Sequence, residues 1–257
     1  MSLELAHMAY GESGPPVLIL HGLLGSARNW SSVARQIGAT HRVFALDLRN
    51  HGASPWADRM TYDEMAEDVR AFMARQGLPA AAVIGHSMGG KVAMRLALAH
   101  GEQVLRLVVV DVAPVAYRRS FNAYVEAMRG LDLSRISRRA EADALLAEQI
   151  DDAGVRGFLL QNLVIGEDGV AWRVPLQALA DNMPELVGFP EPRAGEQYDG
   201  PTLFVTGGRS DYVRPEHHAK IRHLFPNAQF VAIPDAGHWV QAEAPDKFLE
   251  VVGGFLG

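Results

Sequence analysis

The stretch Ala80-Ala81-Ala82-Val83-Ile84-Gly85-His86-Ser87-Met88-Gly89 decides the fold. Its first half is a short apolar run of strand length. The residues after it, Lys91-Val92-Ala93-Met94-Arg95-Leu96-Ala97-Leu98-Ala99, are good helix formers. Between them stands G-x-S-x-G. A serine at a strand-to-helix junction is held on a sharp, strained turn that pushes its hydroxyl out of the sheet edge. The flanking glycines are required because a Cβ there would clash with the neighbouring strand and helix. The pentapeptide alone is a weak signal, but with a strand before and a helix after it is a strong one.

Working outward, apolar runs alternate with helical patterns. Strands are expected at Val17–Leu20, Arg42–Leu46, Ala81–Ile84, Leu107–Val110, Thr202–Val205 and Gln229–Ile233. Amphipathic Thr61 to Gln76 reads as a helix with a Thr61/Glu64 capping box and Gly77 at its end. One further helix begins after Ser87, another runs from Pro215 to Phe225, and the last spans Pro245 to Val252. Repeated alternation with continuous apolar strands implies a mostly parallel sheet covered on both faces. From Pro114 to Gly200 the rhythm breaks. No strand is expected there, only helical patterns at Phe121–Arg129, Ser137–Ile150, Asp152–Leu163 and Pro175–Asn182. Such an insertion reads as a helical cap, residues 114–200, over a core of residues 1–113 and 201–257.

Composition limits the function classes. The 257 residues suffice for one α/β domain with an insertion. A net charge of -6 without a basic stripe argues against nucleic acid, and Arg135, Arg138 and Arg139 read as a solvated helix face. The absence of cysteine excludes disulfides, thiolate metal sites and a cysteine nucleophile. The start, Met1 to His7, lacks the basic and apolar pattern of a signal peptide, and no apolar run could cross a bilayer. A cytoplasmic protein, a monomer or small homo-oligomer, is the expectation.

A serine nucleophile needs a base within hydrogen-bond reach, and the base needs a third group to fix its tautomer. Of the ten histidines, only His238 comes late and just beyond a strand end. His217, His218 and His223 read as helix-surface residues, and His51 as a turn residue. Two acids remain open. Asp211 comes after the penultimate strand, and Asp111 after the strand that succeeds the nucleophile's helix. Oxyanion donors are expected from the backbone N–H of Met88 and, in the glycine-bearing loop His21-Gly22-Leu23-Leu24-Gly25, of Leu23. His21, Gly22 and His86 flank these groups and are expected to contact substrate. Tyr117, Phe121, Trp172 and Trp239 are candidates for lining the pocket. No metal or organic cofactor is needed.

Together these pieces resemble the α/β-hydrolase superfamily. More narrowly, Asp47 to Ser54, Gly85 to Lys91, Val110 to Val115, Trp172-Arg173-Val174, Gly207 to Val213 and Ala236 to Trp239 resemble the small YbfF-type esterases and their abhydrolase-domain relatives. The resemblance implies Asp111 as the acid, with Asp211 as the alternative. It implies a serine esterase acting on small-molecule carboxylic esters with small or medium acyl chains. Thioester, lactone, perhydrolysis and carbon–carbon bond chemistry share these motifs, and so would a low-turnover binding protein that keeps the triad.

Overall fold

Each interior strand is buried on both sides, which is why its sequence is apolar without alternation. The computed structural model describes residues 2–118, 121–167 and 169–257. Residue 1 of the N-terminal segment and residues 119, 120 and 168 of the insertion lie outside that description. The strands are β1 (His7–Tyr10), β2 (Pro16–Leu20), β3 (Arg42–Leu46), β4 (Ala81–His86), β5 (Val104–Val110), β6 (Leu163–Gly166), β7 (Gly169–Trp172), β8 (Thr202–Gly207) and β9 (Ala228–Ile233). The main sheet has the order β1-β3-β2-β4-β5-β8-β9. Only β1 runs antiparallel to its neighbour.

The helices are α1 (Ser31–Ile37), α2 (Tyr62–Arg75), α3 (Met88–Ala99), α4 (Asn122–Arg129), α5 (Arg139–Leu146), α6 (Ala153–Leu160), α7 (Leu176–Asp181), α8 (Met183–Val187), α9 (His218–Leu224), α10 (Val240–Glu243) and α11 (Pro245–Leu256). Alternate strand residues face opposite layers. Leu18, Leu20, Phe44, Leu46, Val83 and Val109 pack with Met65, Val69 and Phe72 of α2 and Val92 and Leu96 of α3. Val17, Ile19, Val43, Ala45, Ile84, Val108 and Val110 pack with Val33 and Ile37 of α1 and Phe248 and Val252 of α11. The α2 capping box forms as expected, the Glu64 N–H donating to Thr61 Oγ1 at 3.2 Å and Thr61 N–H to the Glu64 carboxylate at 3.3 Å.

The segment between β5 and β8 holds α4 to α8, and also a correction. A two-stranded antiparallel hairpin, β6–β7, stands in a segment where no strand is expected from the sequence, between two of the expected helices. It escapes a pattern search because Leu163 alone of β6 is buried, while Val164 and Ile165 are exposed. Strand β1 escapes it too. It is a four-residue edge strand, mostly exposed, whose His7 packs on Phe44 and Phe72. Among the described residues, no helix is long and apolar enough to cross a membrane.

Candidate active site

Parallel register brings the carboxyl ends of five strands into one row. Leu20 pairs with Gly85, His86 with Val110, Val110 with Val205, and Gly207 with Ile233. The residues just beyond these ends are therefore neighbours along a single sheet edge, where ligands bind in open α/β sheets.

Ser87 is the turn between β4 and α3, at φ 52 and ψ -117. A non-glycine residue held in so sparse a region stores about 1–3 kcal/mol of strain. The strain persists because both neighbours are locked. The Ser87 N–H donates to the Val110 carbonyl at 3.0 Å. A Cβ on Gly85 would overlap the Gly89 carbonyl, and one on Gly89 the Leu20 carbonyl.

The Ser87 Oγ lies 3.2 Å from His238 Nε2. The opposite ring nitrogen, Nδ1, lies 2.7 Å from Asp111 Oδ2. Asp111 is wholly buried and itself sits at φ 51. Its other contacts are the Gly207 N–H on Oδ1 at 3.1 Å and the Ser210 hydroxyl on Oδ2 at 2.5 Å. The carboxylate bonded to His238 is thus Asp111. Asp211, the alternative acid, is exposed on the loop after β8 and does not occupy that position. Its chain neighbours reach the relay instead. Ser210 holds Asp111, and the Tyr212 ring stacks on the His238 ring with centroids 4.0 Å apart and planes at 17°. Neither stands out in the sequence, since both roles depend on where this loop folds back.

His86 Nε2 lies 2.9 Å from the His238 carbonyl, so it donates there and steadies the histidine loop. Burial, aided by nearby His238, pulls its pKa down to about 3 and keeps it neutral.

The loop after β2 approaches Ser87 because position 22 lacks a side chain; a Cβ there would stand 3.0 Å from His86 and 3.3 Å from Ser87. Leu24, at φ 62, gives its N–H to His51 Nε2 at 3.0 Å. Gly25 gives its N–H to the Gly22 carbonyl. Among the described residues, no acceptor takes the Leu23 N–H. Met88 opens α3, so its N–H lacks an intrahelical acceptor. His21 underpins the loop, accepting the Leu48 N–H on Nε2 at 3.0 Å and placing Nδ1 2.8 Å from the Gly22 carbonyl. Burial lowers the pKa of His21 to about 4 and of His51 to about 3. His51 is therefore no mere turn residue but a fully buried pin for the loop. His217, expected at the surface, is also buried.

Two cavities adjoin Ser87. The larger, about 420 Å3, is walled by His21, Gly22, Phe121, Phe158, His238 and Trp239 among others. The smaller, about 40 Å3, is walled by Leu23, Met88, Lys91, Tyr117, Phe121 and Tyr212 among others. Trp172 lines neither. It lies half-buried on β7, packed against the core, which corrects the expectation that it faces the pocket. Among the described residues, no cluster of three or more His, Asp or Glu side chains could hold a metal ion.

Similarity to known proteins runs over nearly the whole chain. A model of the alpha/beta hydrolase family matches residues 17–251. The chain belongs to this family. The hydrolase is 41% identical over 250 residues to the sn-1-specific diacylglycerol lipase ABHD11 of Mus musculus, covering 94% of this chain and 81% of that protein. It is 36% identical over 242 residues to esterase YbfF of Escherichia coli (strain K12), covering 94% and 92%. The solved structure of a marine microorganism esterase superposes with a TM-score of 0.95 at 38% identity, covering 99% of the hydrolase and 100% of that chain. The hydrolase acts on ester bonds.

Proposed function

We propose that this hydrolase cleaves carboxylic esters of small molecules through a Ser87–His238–Asp111 triad and an acyl-enzyme. The observation that carries this reading is the unbroken relay, 3.2 Å from Ser87 Oγ to His238 Nε2 and 2.7 Å from His238 Nδ1 to Asp111. Relatives named esterase and lipase support the same bond type. His238 takes the Ser87 proton as Oγ attacks the ester carbonyl. Asp111 holds the Nδ1–H tautomer and stabilises the imidazolium. The Leu23 and Met88 N–H groups receive the oxyanion, where losing one donor typically costs about 10²–10³ in kcat. His238 then protonates the departing alkoxide, and later activates water to release the acid.

The insertion over the strand ends acts in this reading as a cap, with Tyr117, Phe121 and Trp239 on the substrate. The test is turnover of p-nitrophenyl acetate together with labelling by a fluorophosphonate. Both are expected in the wild type and lost in Ser87→Ala. Retained turnover in that variant overturns the mechanism, and labelling without turnover of any ester marks a binding protein instead.

A further inference from the structure

The two cavities meeting at Ser87 are not equivalent. His238 lines the larger one and not the smaller. In ester cleavage the departing oxygen must reach His238 Nε2 to be protonated. The alcohol part therefore lies on the His238 side, in the larger cavity. The acyl part then points the other way, past Leu23 and Met88, into the smaller one. This assignment rests on the ester-hydrolase reading above. A water molecule needs roughly 10–15 Å3 of such space, so about 40 Å3 admits a chain of about three to five bonded atoms. The space between these walls favours a short acyl chain over a long one.

The wall of this cavity contains a buried lysine. Lys91 stands one helical turn after Ser87 on α3, and its N–H bonds the Ser87 carbonyl at 3.1 Å. Helical side chains lean toward the N-terminus, which here is the Ser87 end. The residue is only 2% exposed. Its Nζ donates to the Val187 and Gly188 carbonyls at 3.0 and 2.5 Å. It stands 4.8 Å from the Tyr117 ring centroid and 5.5 Å from that of Tyr62. An ammonium has three N–H groups, and the two carbonyls use two of them. Among the described residues, no Asp or Glu forms an ion pair with it. A buried charge is ordinarily paired. Burial holds the Lys91 pKa down to about 7, as expected of an ammonium incompletely compensated.

We propose that the smaller cavity is the acyl subsite and that Lys91 makes it select short acyl groups ending in a carboxylate, that is, monoesters of small dicarboxylic acids. The carboxylate completes the lysine's coordination and supplies its missing counter-charge. Neutral short acyl groups enter but leave Lys91 as it is.

The experiment compares monobenzyl succinate with benzyl butyrate, which share a leaving group and a near-identical chain length, by release of benzyl alcohol. The wild type is expected to show at least a 10-fold higher kcat/KM for the succinate. That ratio is expected to fall at least 10-fold in both Lys91→Gln and Lys91→Met. A wild-type ratio of one or less overturns the proposal whether or not the variants fold. A ratio unchanged in the variants also overturns it, because a lysine that merely braces the insertion would affect both esters alike. Benzyl dodecanoate turned over faster than benzyl butyrate overturns the acyl assignment. Absence of Ser87-dependent turnover on every benzyl ester would instead sink the ester-hydrolase reading itself.

Discussion

Ser210 donates to the same Asp111 oxygen that receives His238 Nδ1. A hydrogen bond to a buried charged group contributes about 1.5–3 kcal/mol. Ser210→Ala is therefore expected to lower kcat/KM about 10-fold on p-nitrophenyl acetate. Asp111→Asn removes the acceptor that fixes the imidazole tautomer, and the expected loss is about 10⁴-fold. Asp211→Asn is expected to stay within about 3-fold of the wild type, because Asp211 lies outside the relay. A steady-state comparison of the three variants checks all of this; a larger loss in Asp211→Asn than in Asp111→Asn would reverse the assignment. On residue pattern alone both Asp111 and Asp211 can serve, since both come after strands that end at one edge, and the place of Asp211 after the penultimate strand is the more usual one. What separates them is loop direction. The turn at Asp111, with φ 51, aims the carboxylate at His238, and no residue pattern announces that angle. Ser87 and His238 are legible because a strand–serine–helix junction and a late post-strand histidine are local patterns.

At the scale of elements, legibility tracks burial. Strands β2, β3, β4, β5 and β8 are buried on both faces, so their sequences read plainly. The hairpin β6–β7 carries little buried surface and leaves no such trace. Helix α2 shows a local signal with a measurable effect. Thr61 caps it through the Glu64 N–H. Thr61→Ala is expected to cost about 1 kcal/mol. In a chain of this size that lowers Tm by about 2–4 °C, read by circular dichroism, with kcat unchanged. An unchanged Tm would mean that packing of Met65, Val69 and Phe72 alone holds the helix.

The whole molecule couples its stability to pH through three buried neutral histidines. His21, His51 and His86 have pKa values lowered to about 4, 3 and 3. The unfolded chain titrates its histidines near 6.5. Between about pH 6.5 and 4 the unfolded state therefore binds more protons, and stability falls as pH falls. Each histidine contributes up to about 1.4 kcal/mol per pH unit in that window. Lys91, held to about 7 against about 10.4 in the unfolded chain, already makes Tm fall as pH drops from 8 to 7, and the three histidines add a further drop from pH 6.5 to 5. His51→Gln should make the slope shallower. A flat Tm across this range would show that these histidines are not held neutral.

His238 hangs just beyond β9, a half-exposed strand at the sheet's margin with one strand neighbour, whereas Ser87 and Asp111 leave interior strands β4 and β5. Margins open more readily than centres. Heat should thus detach His238, the base of the proposed triad, while Ser87 and Asp111 stay assembled. Catalysis then disappears in a partial, reversible melting of one flank, some degrees below the collapse of the sheet. Residual activity and far-ultraviolet circular dichroism, recorded on one temperature ramp, should trace two separate curves. Coincident curves would mean that the flank and the sheet melt as one unit.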